Sequence, residues 1–375
     1  MKNIYQFLTD QVERHQTPSV QYAFFDLERT QVEFRYGLKN IRLQQPVHAL
    51  TTYHLFSITK MFTALAVLQL AEAGKIALKN PAAQYLSDFP YPDTITVEHL
   101  LNHTSGIPNP MPLRWIHAER EHASFQHDAF FTDVFRQHTA LSFTPGTRFQ
   151  YSNLGYVLLG QLIEQVSGQL YEDYVTTHIF KRCGIDNGEL RFTMDPSTHA
   201  TGYHKRFSIS GAVLPMLVDT QKFMSHPEGR WKPFTRFYNN GKAYGGAIGS
   251  VKGLIRYAQA LLHDHSVLLG DRYKHRLFDE TRIGGKPTGM SLAWFTGELK
   301  GNRYVAHAGG GGGYYVELRL YPGLQAGSVM LYNRSGMHDE RMLDKTDRFF
   351  LTERNHSLPL HYTYFSHPFS GCDAL

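Results

Sequence analysis

A chain of 375 residues is long enough to bury a substantial core and to fold as one large domain or as two interleaved ones. Charged residues make up 19% of the sequence and aromatic residues 13%, a composition that excludes a disordered protein. The net charge of +5 comes from lysines and arginines scattered among acidic residues, so we predict no nucleic-acid surface. No apolar stretch approaches the roughly 20 residues needed to cross a bilayer, so we expect no membrane partner.

The cysteine content and the first residues of the chain indicate the cellular compartment in which the protein is expected. Cys183 and Cys372 are the only cysteines, and their wide separation predicts no disulfide framework. The first ten residues lack the long apolar run of a secretory signal. We therefore expect a reducing compartment and a cytoplasmic protein. The sequence makes no prediction of oligomeric state.

The first half of the chain reads mainly as helices. Helical spacing at 4–14 precedes two strand-like runs at 20–25 and 32–36 that predict a hairpin. An apolar run at 61–71 predicts a buried helix that starts near Ser57 and stops at Gly74. Further helices are predicted at 95–101, 156–166 and 170–180.

The second half begins with weak periodicity and ends in strands. Residues 192–241 are rich in aromatic side chains and lack clear elements, which is typical of a binding loop or lid; we expect 231–238 to form part of an acyl-pocket wall. A helix at 254–262, capped by Ser250, precedes strands at 290–299, 304–308, 314–321 and 327–332. A last helix is predicted at 340–350.

Strand material therefore lies at both ends of the chain, with helices between. This order predicts an α+β fold in which an antiparallel sheet is flanked by helices and carries an inserted, mainly helical domain. We expect the sheet domain to comprise residues 1–90 and 246–375 and the helical domain, with the aromatic-rich loop, to comprise 91–245.

Ser57 and Lys60 are the first candidates for catalysis. Positions i and i+3 share a helix face, so the lysine would stand beside the serine hydroxyl. Such a hydroxyl needs a neighbour to take its proton, and a lysine kept neutral by desolvation or a nearby cation can do so. A helix N-terminus adds positive potential where an oxyanion forms. A capping serine and a snorkelling lysine remain the alternative, since roughly one such pair is expected by chance.

Two further segments carry suitable chemistry. Tyr151 can shuttle protons if a cation lowers its pKa, and Asn153 offers an amide donor and acceptor. Taken alone, however, the pair is better explained as a buried tyrosine in a turn before a helix. Glycines after His307 would let a substrate lie against a strand edge, whose backbone N–H, with that of Ser57, would form an oxyanion hole. A flexible turn is the alternative. A phosphate loop is disfavoured because a strand follows.

Ser57-x-x-Lys60, Tyr151-x-Asn153 and His307-x-Gly309 appear in this order, and together they resemble the serine β-lactamase and penicillin-binding protein superfamily on its class C-like side. The segment 100–108, Leu-Leu-Asn-His-Thr-Ser-Gly-Ile-Pro, is also similar to a segment found in that family. The resemblance implies that Ser57 is acylated, that Lys60 and Tyr151 share its proton, and that Asn153, His307 and Gly309 bind substrate. It also implies an oxyanion hole formed by Ser57 and Gly310, and a β-lactamase/transpeptidase-like fold.

Two positions depart from the family pattern. His307 stands where many members carry lysine, and we interpret it as a weaker, pH-dependent cation. Ala308 removes a hydroxyl that many members present to a substrate carboxylate. These changes resemble esterases and peptidases of the family, and there is no acidic deacylation motif of the class A type, which leaves water activation to Tyr151 and Lys60.

We therefore expect a serine hydrolase that needs no cofactor. The sequence has no Gly-x-Ser-x-Gly, His-Glu-x-x-His or Cys-x-x-Cys motif, so a nucleophile elbow and a metal site are not predicted. The expected substrates are small esters first, amides or D-amino-acid peptides second and β-lactams third. The alternative is a non-catalytic relative that keeps the scaffold for ligand binding or assembly.

Overall fold

The computed structural model describes residues 3–110, 114–208, 214–216, 218–335 and 341–351. Its helices are α1 (Ile4–Glu13), α2 (Thr59–Glu72), α3 (Val97–Leu101), α4 (His127–Gln137), α5 (Asn153–Ser167), α6 (Tyr171–Val175), α7 (Thr220–Phe223), α8 (Lys242–Gly245), α9 (Val251–Leu262), α10 (Asp271–Phe278) and α11 (Met342–Asp347). No helix within these ranges combines the length and apolar composition needed to cross a bilayer.

The strands are β1 (Ser19–Asp26), β2 (Thr30–Asn40), β3 (Gln45–Pro46), β4 (Tyr53–His54), β5 (Ile116–Ala118), β6 (Leu190–Arg191), β7 (Tyr203–Lys205), β8 (Trp231–Pro233), β9 (Phe237–Asn239), β10 (Ile248–Gly249), β11 (Arg282–Ile283), β12 (Lys286–Pro287), β13 (Phe295–Leu299), β14 (Asn302–Gly311), β15 (Tyr314–Tyr321) and β16 (Ala326–Tyr332). Seven of them form one sheet in the order β13-β14-β15-β16-β1-β2-β3. Its neighbouring strands are antiparallel, and β1 pairs with β16, so both ends of the chain build the sheet. The predicted α+β fold is confirmed.

Both faces of this sheet are covered. Successive side chains of a strand point to opposite faces, and β1 accordingly sends Ala23 and Phe25 into the large core shared with α2, α5 and α9. Tyr22 and Phe24 enter a smaller core on the other face, with residues of α1 and α11. The near-continuous burial of β1, which alternation alone does not predict, follows from this double cover.

Helix α2 lies in the middle of the large core. All of its residues except Gln69 and Glu72 are buried, as expected for a helix that is apolar on every side. It follows a 3-10 turn (Phe56–Ile58) that contains Ser57, and Gly74 follows its end in a left-handed conformation, with φ of 70°. The predicted buried helix is thus present, with Ser57 one turn before it.

Several predicted boundaries were wrong. Strand β13 begins at Phe295 rather than at 290, and β14 continues through Gly309 and Gly310, which pair with Val316 and Tyr315. Much of the glycine run is therefore strand, because backbone hydrogen bonds to β15 hold it extended. The stretch 192–241 contains β7, β8, β9 and α7. Of the predicted last helix, Glu340 lies outside the described residues, as does Cys372.

Candidate active site

Ser57 sits in the 3-10 turn that leads into α2, and its exposed fraction is 9%. The preceding residue, Phe56, has a left-handed backbone with φ of 44°, which is strained for an aromatic residue. Its ring packs against the rings of His54, Phe237 and Tyr314, with centroids 5.7–6.4 Å apart. These contacts hold the turn and fix the direction in which Ser57 enters the site.

Lys60 is completely buried and lies beside the serine. Its Nζ donates to Ser57 Oγ at 3.1 Å, to Asn153 Oδ1 at 2.7 Å and to the Tyr244 carbonyl oxygen at 3.0 Å. The same Nζ lies 4.8 Å from the ring centroid of Tyr151 and 5.6 Å from that of Tyr156. Three oxygen acceptors and the faces of aromatic rings thus replace the water that a buried amine loses.

His103 contacts the ring of Tyr151 and forms hydrogen bonds with the residues before and after it. The two rings stack with centroids 4.3 Å apart. The His103 carbonyl oxygen accepts the N–H of Gln150 at 2.9 Å, and its Nδ1 accepts the N–H of Ser152 at 3.1 Å. Because both peptide neighbours of Tyr151 are anchored to one residue, the position of the phenol depends on His103.

Asn153 is the first residue of α5, which is capped by Ser152. Its backbone N–H and its Nδ2 each donate to Asn109 Oδ1 at 3.0 Å. These bonds orient the amide so that its oxygen is available to Lys60. The structure therefore brings Ser57, Tyr151 and Asn153 together around the amine of Lys60.

The strand β14 lies directly against the Ser57 turn at Gly309. A Cβ atom at position 309 would be 2.2 Å from the Leu55 carbonyl oxygen and 3.0 Å from the Ser57 backbone nitrogen. Only glycine permits this approach, and Gly310 is the next residue along the strand edge. The strand edge thus lies beside the Ser57 N–H, as an oxyanion hole of the predicted kind requires.

The interpretation of His307 as a pH-dependent cation was wrong. Its side chain is 2% exposed, and its Nδ1–H donates to the Ala308 carbonyl oxygen at 2.7 Å. Burial, together with the charge of Lys60, lowers the pKa of His307 to about 3. The imidazole is therefore neutral at ordinary pH, and this position offers no cation to an anionic substrate.

The aromatic stretch 231–238 contributes one residue next to the site. Phe237 stacks on His54 with centroids 4.6 Å apart, and a Cβ at Gly312 would lie 2.3 Å from its ring. Trp231 lies instead near Tyr203, with centroids 6.5 Å apart. The role of this stretch in an acyl pocket stays a prediction.

Sequence reasoning missed four residues of this site: His103, Asn109, Tyr156 and Tyr244. His103 falls in the phrase at 100–108, which was noted only for its resemblance to the family. Tyr244 acts through its carbonyl oxygen, and no sequence pattern marks such a group. Asn109 and Tyr156 act through contacts that only the folded chain creates.

Comparison with known proteins agrees with this architecture. The chain resembles the octameric penicillin-binding protein homologue from Pyrococcus abyssi, with a TM-score of 0.69, 25% identity and coverage of 89% of this chain and 73% of that one. It also shares the fold of the D-amino acid amidase from Ochrobactrum anthropi SV3, with a TM-score of 0.73, 19% identity and coverage of 92% and 95%. The fold is therefore that of the β-lactamase and transpeptidase group of proteins.

The particular family follows from the sequence comparison. The model of the Beta-lactamase family matches residues 4–352, and the chain belongs to that family. A penicillin-binding protein from Bacillus subtilis (strain 168) is 28% identical over 295 residues, which are 76% of this chain and 61% of that relative. The chain thus spans about three fifths of the length of this curated relative.

Proposed function

We propose that this protein is a serine hydrolase that forms an acyl-enzyme on Ser57. The observation that carries the proposal is the 3.1 Å hydrogen bond from Lys60 Nζ to Ser57 Oγ, between two buried side chains. A lysine placed there is within reach of the hydroxyl proton, which is the first requirement for activating a serine. Membership of the Beta-lactamase family supports the same reaction class.

Each group in the pocket has a proposed role. Ser57 Oγ attacks the substrate carbonyl carbon, and its proton passes to whichever of Lys60 and Tyr151 is deprotonated, as the neutral amine or the phenolate. The backbone N–H groups of Ser57 and Gly310 stabilise the oxyanion that forms. The proton then moves to the leaving group, and a water activated by the same lysine and phenol hydrolyses the acyl bond. Asn153, His307 and Gly309 bind and orient the substrate.

The proposed substrates are small uncharged esters, then amides and D-amino-acid peptides, with β-lactams third. A neutral His307 and the methyl side chain of Ala308 give no cation and no hydroxyl to a substrate carboxylate. Lys60 remains nearby, but its N–H groups already donate to Ser57, Asn153 and Tyr244. The shared fold with a D-amino acid amidase supports amides within this range.

The test is covalent labelling with a fluorophosphonate, followed by peptide mass spectrometry. We expect one label on Ser57, and we expect Ser57→Ala to lose both the label and p-nitrophenyl ester turnover, the latter by at least about a thousandfold. Ser87→Ala is the matched control, since Ser87 is exposed and its hydroxyl donates to the neighbouring, exposed Asp88.

Two results contradict the proposal. A folded wild-type protein that takes no label supports the alternative, a non-catalytic scaffold for ligand binding or assembly. Full ester turnover by Ser57→Ala would place the nucleophile elsewhere.

A further inference from the structure

The imidazole of His307 lies between the elements of the candidate site, and the inference below rests on the proposed function. Its ring centroid is 6.1 Å from that of Tyr151 and 5.3 Å from that of Phe295. The charge of Lys60 is close enough to act on its titration. His307 therefore borders the same space as the nucleophile and its lysine.

The hydrogen bond to Ala308 fixes the tautomer of this ring. A carbonyl oxygen can only accept, so Nδ1 of His307 carries the hydrogen in the 2.7 Å bond. A neutral imidazole has one N–H, which leaves Nε2 with a lone pair and no hydrogen. His103 has the opposite tautomer, because its Nδ1 accepts the N–H of Ser152.

The lone pair of His307 receives no hydrogen bond from the part of the chain that the structure describes. Nε2 is buried and has no hydrogen-bond partner among the described residues. Buried polar atoms without a partner are uncommon and cost free energy. Lys60 does not supply the donor: its Nζ donates to Ser57, Asn153 and Tyr244, and among the described residues it makes no hydrogen bond to Nε2 of His307. With Nδ1 turned towards its own strand, Nε2 lies at the far end of the ring.

We propose that Nε2 of His307 is the hydrogen-bond acceptor for an uncharged N–H group of the substrate, so that the site favours amides over substrates with a carboxylate at the same place. A carboxylate is acceptor-only and would face the lone pair without a shared hydrogen. An ammonium group would meet the like charge of Lys60. A neutral amide N–H satisfies the buried nitrogen and adds no charge.

The wild-type protein provides the first test. A D-amino-acid dipeptide with a free C-terminal carboxylate and the same dipeptide with a C-terminal amide differ only in the group of interest. We expect kcat/KM for the amidated peptide to be about tenfold higher or more, the size of one hydrogen bond plus the avoided unpaired acceptor. Equal values, or a preference for the free carboxylate, would overturn the inference.

A second test changes the acceptor. His307→Phe keeps an aromatic ring but has no lone pair, whereas His307→Asn keeps an acceptor oxygen on a shorter side chain. We measure the ratio of kcat/KM for the dipeptide with a C-terminal amide to that for the same dipeptide with a C-terminal methyl ester, which has no N–H at that place. The ratio should fall about tenfold in His307→Phe and less in His307→Asn. The same ratio in both variants and wild type contradicts the inference.

Fluorophosphonate labelling of Ser57 distinguishes an error in the proposed function from an error in the proposed role of His307. If the wild type takes no label, the proposed function itself is wrong. If wild type and variants are labelled and folded, as judged by thermal melting, but the substrate ratios do not change, only the role of His307 is wrong. Should His307→Phe fail to fold, the dipeptide comparison on the wild type still decides.

Discussion

Lys60 shows how a single residue sets the electrostatics of the candidate site. Its side chain is fully buried, yet its amine reaches three oxygen acceptors and the faces of neighbouring tyrosines. After burial itself, its charge is the largest cause that lowers the pKa of His103 and of His307. Both histidines are therefore neutral, and each serves through its hydrogen bonds and not through charge.

Gly309 carries the clearest prediction at this scale. In Gly309→Ala the new Cβ would fall 2.2 Å from the Leu55 carbonyl oxygen, so β14 must move away from the Ser57 turn. We expect destabilisation by about 1–3 kcal/mol and slower labelling of Ser57, since the two proposed oxyanion donors, the N–H groups of Ser57 and Gly310, would separate. Urea denaturation and the labelling rate measure the two effects. Gly323→Ala is the matched control, because nothing lies within 4 Å of the corresponding Cβ.

An unchanged labelling rate in Gly309→Ala would show that the contact between β14 and the Ser57 turn does not position the site. A loss of the same size in Gly323→Ala would show that the effect is not specific to that contact.

The two faces of strands β14 and β15 make different contacts: one carries His307 of the candidate site, and the other packs against α11. Ala308 pairs with Glu317 across the strands, on the face away from His307. On that outer face Arg319 is 1% exposed and pairs with Glu317 at 3.1 Å and with Asp344 of α11 at 2.6 Å. The N–H of Leu343 donates to Glu317 at 3.0 Å. A buried ionic network thus fastens α11 to the back of the strands that build the site.

Removing the cation from this network should be costly. Arg319→Met leaves the carboxylates of Glu317 and Asp347 buried without their counterion, and we expect a loss of about 3–5 kcal/mol in the free energy of unfolding. Denaturation in urea measures it, with Arg303→Met as the control because Arg303 is exposed on β14. Burial already raises the pKa of Glu317 to about 7, so the loss should be smaller at pH 5, where this carboxyl is protonated, than at pH 8.

The opposite pH trend, or a loss no larger than that of Arg303→Met, would contradict the structural role of the network.

At the scale of the whole molecule, the two ends of the chain close one sheet around a core that also holds the site. Pairing of β1 with β16 joins Val20 to Tyr332, and the segments near 57, 151 and 307 lie in contact with one another. We retain the division into a sheet domain (1–90 and 246–375) and a helical domain (91–245) as a proposal. Several histidines lie buried and neutral in this interior. The free energy of unfolding of the whole molecule should therefore fall at acid pH.

His54 gives the test. Burial lowers its pKa to about 3 from an ordinary value near 6.5, so below pH 6.5 the unfolded chain binds a proton that the folded chain does not. Stability is therefore lost as the pH falls from 6.5 towards 3, by about 1.4 kcal/mol per pH unit for this residue. In His54→Phe the fall in unfolding free energy between pH 7 and 5 should shrink by about 2 kcal/mol.

Urea titrations at the two pH values measure this difference, with exposed His265→Gln as the control. An equal acid loss in His54→Phe and wild type would rule out a buried neutral histidine at position 54.

The sequence by itself determined the α+β class, the buried helix α2 and the order of the three candidate segments. These features are local, since apolar periodicity, Gly74 as a stop signal and the spacing of Ser57 and Lys60 act within a few residues. The limits of β13 and β14 were misjudged because pairing with neighbouring strands, and not local propensity, decides where a strand ends.

Only the tertiary structure decided that His307 is neutral, that His103 holds Tyr151, and that the Tyr244 carbonyl reaches Lys60. Each depends on how deeply a group is buried and on which distant backbone atom faces it, and neither quantity is encoded in the neighbouring sequence.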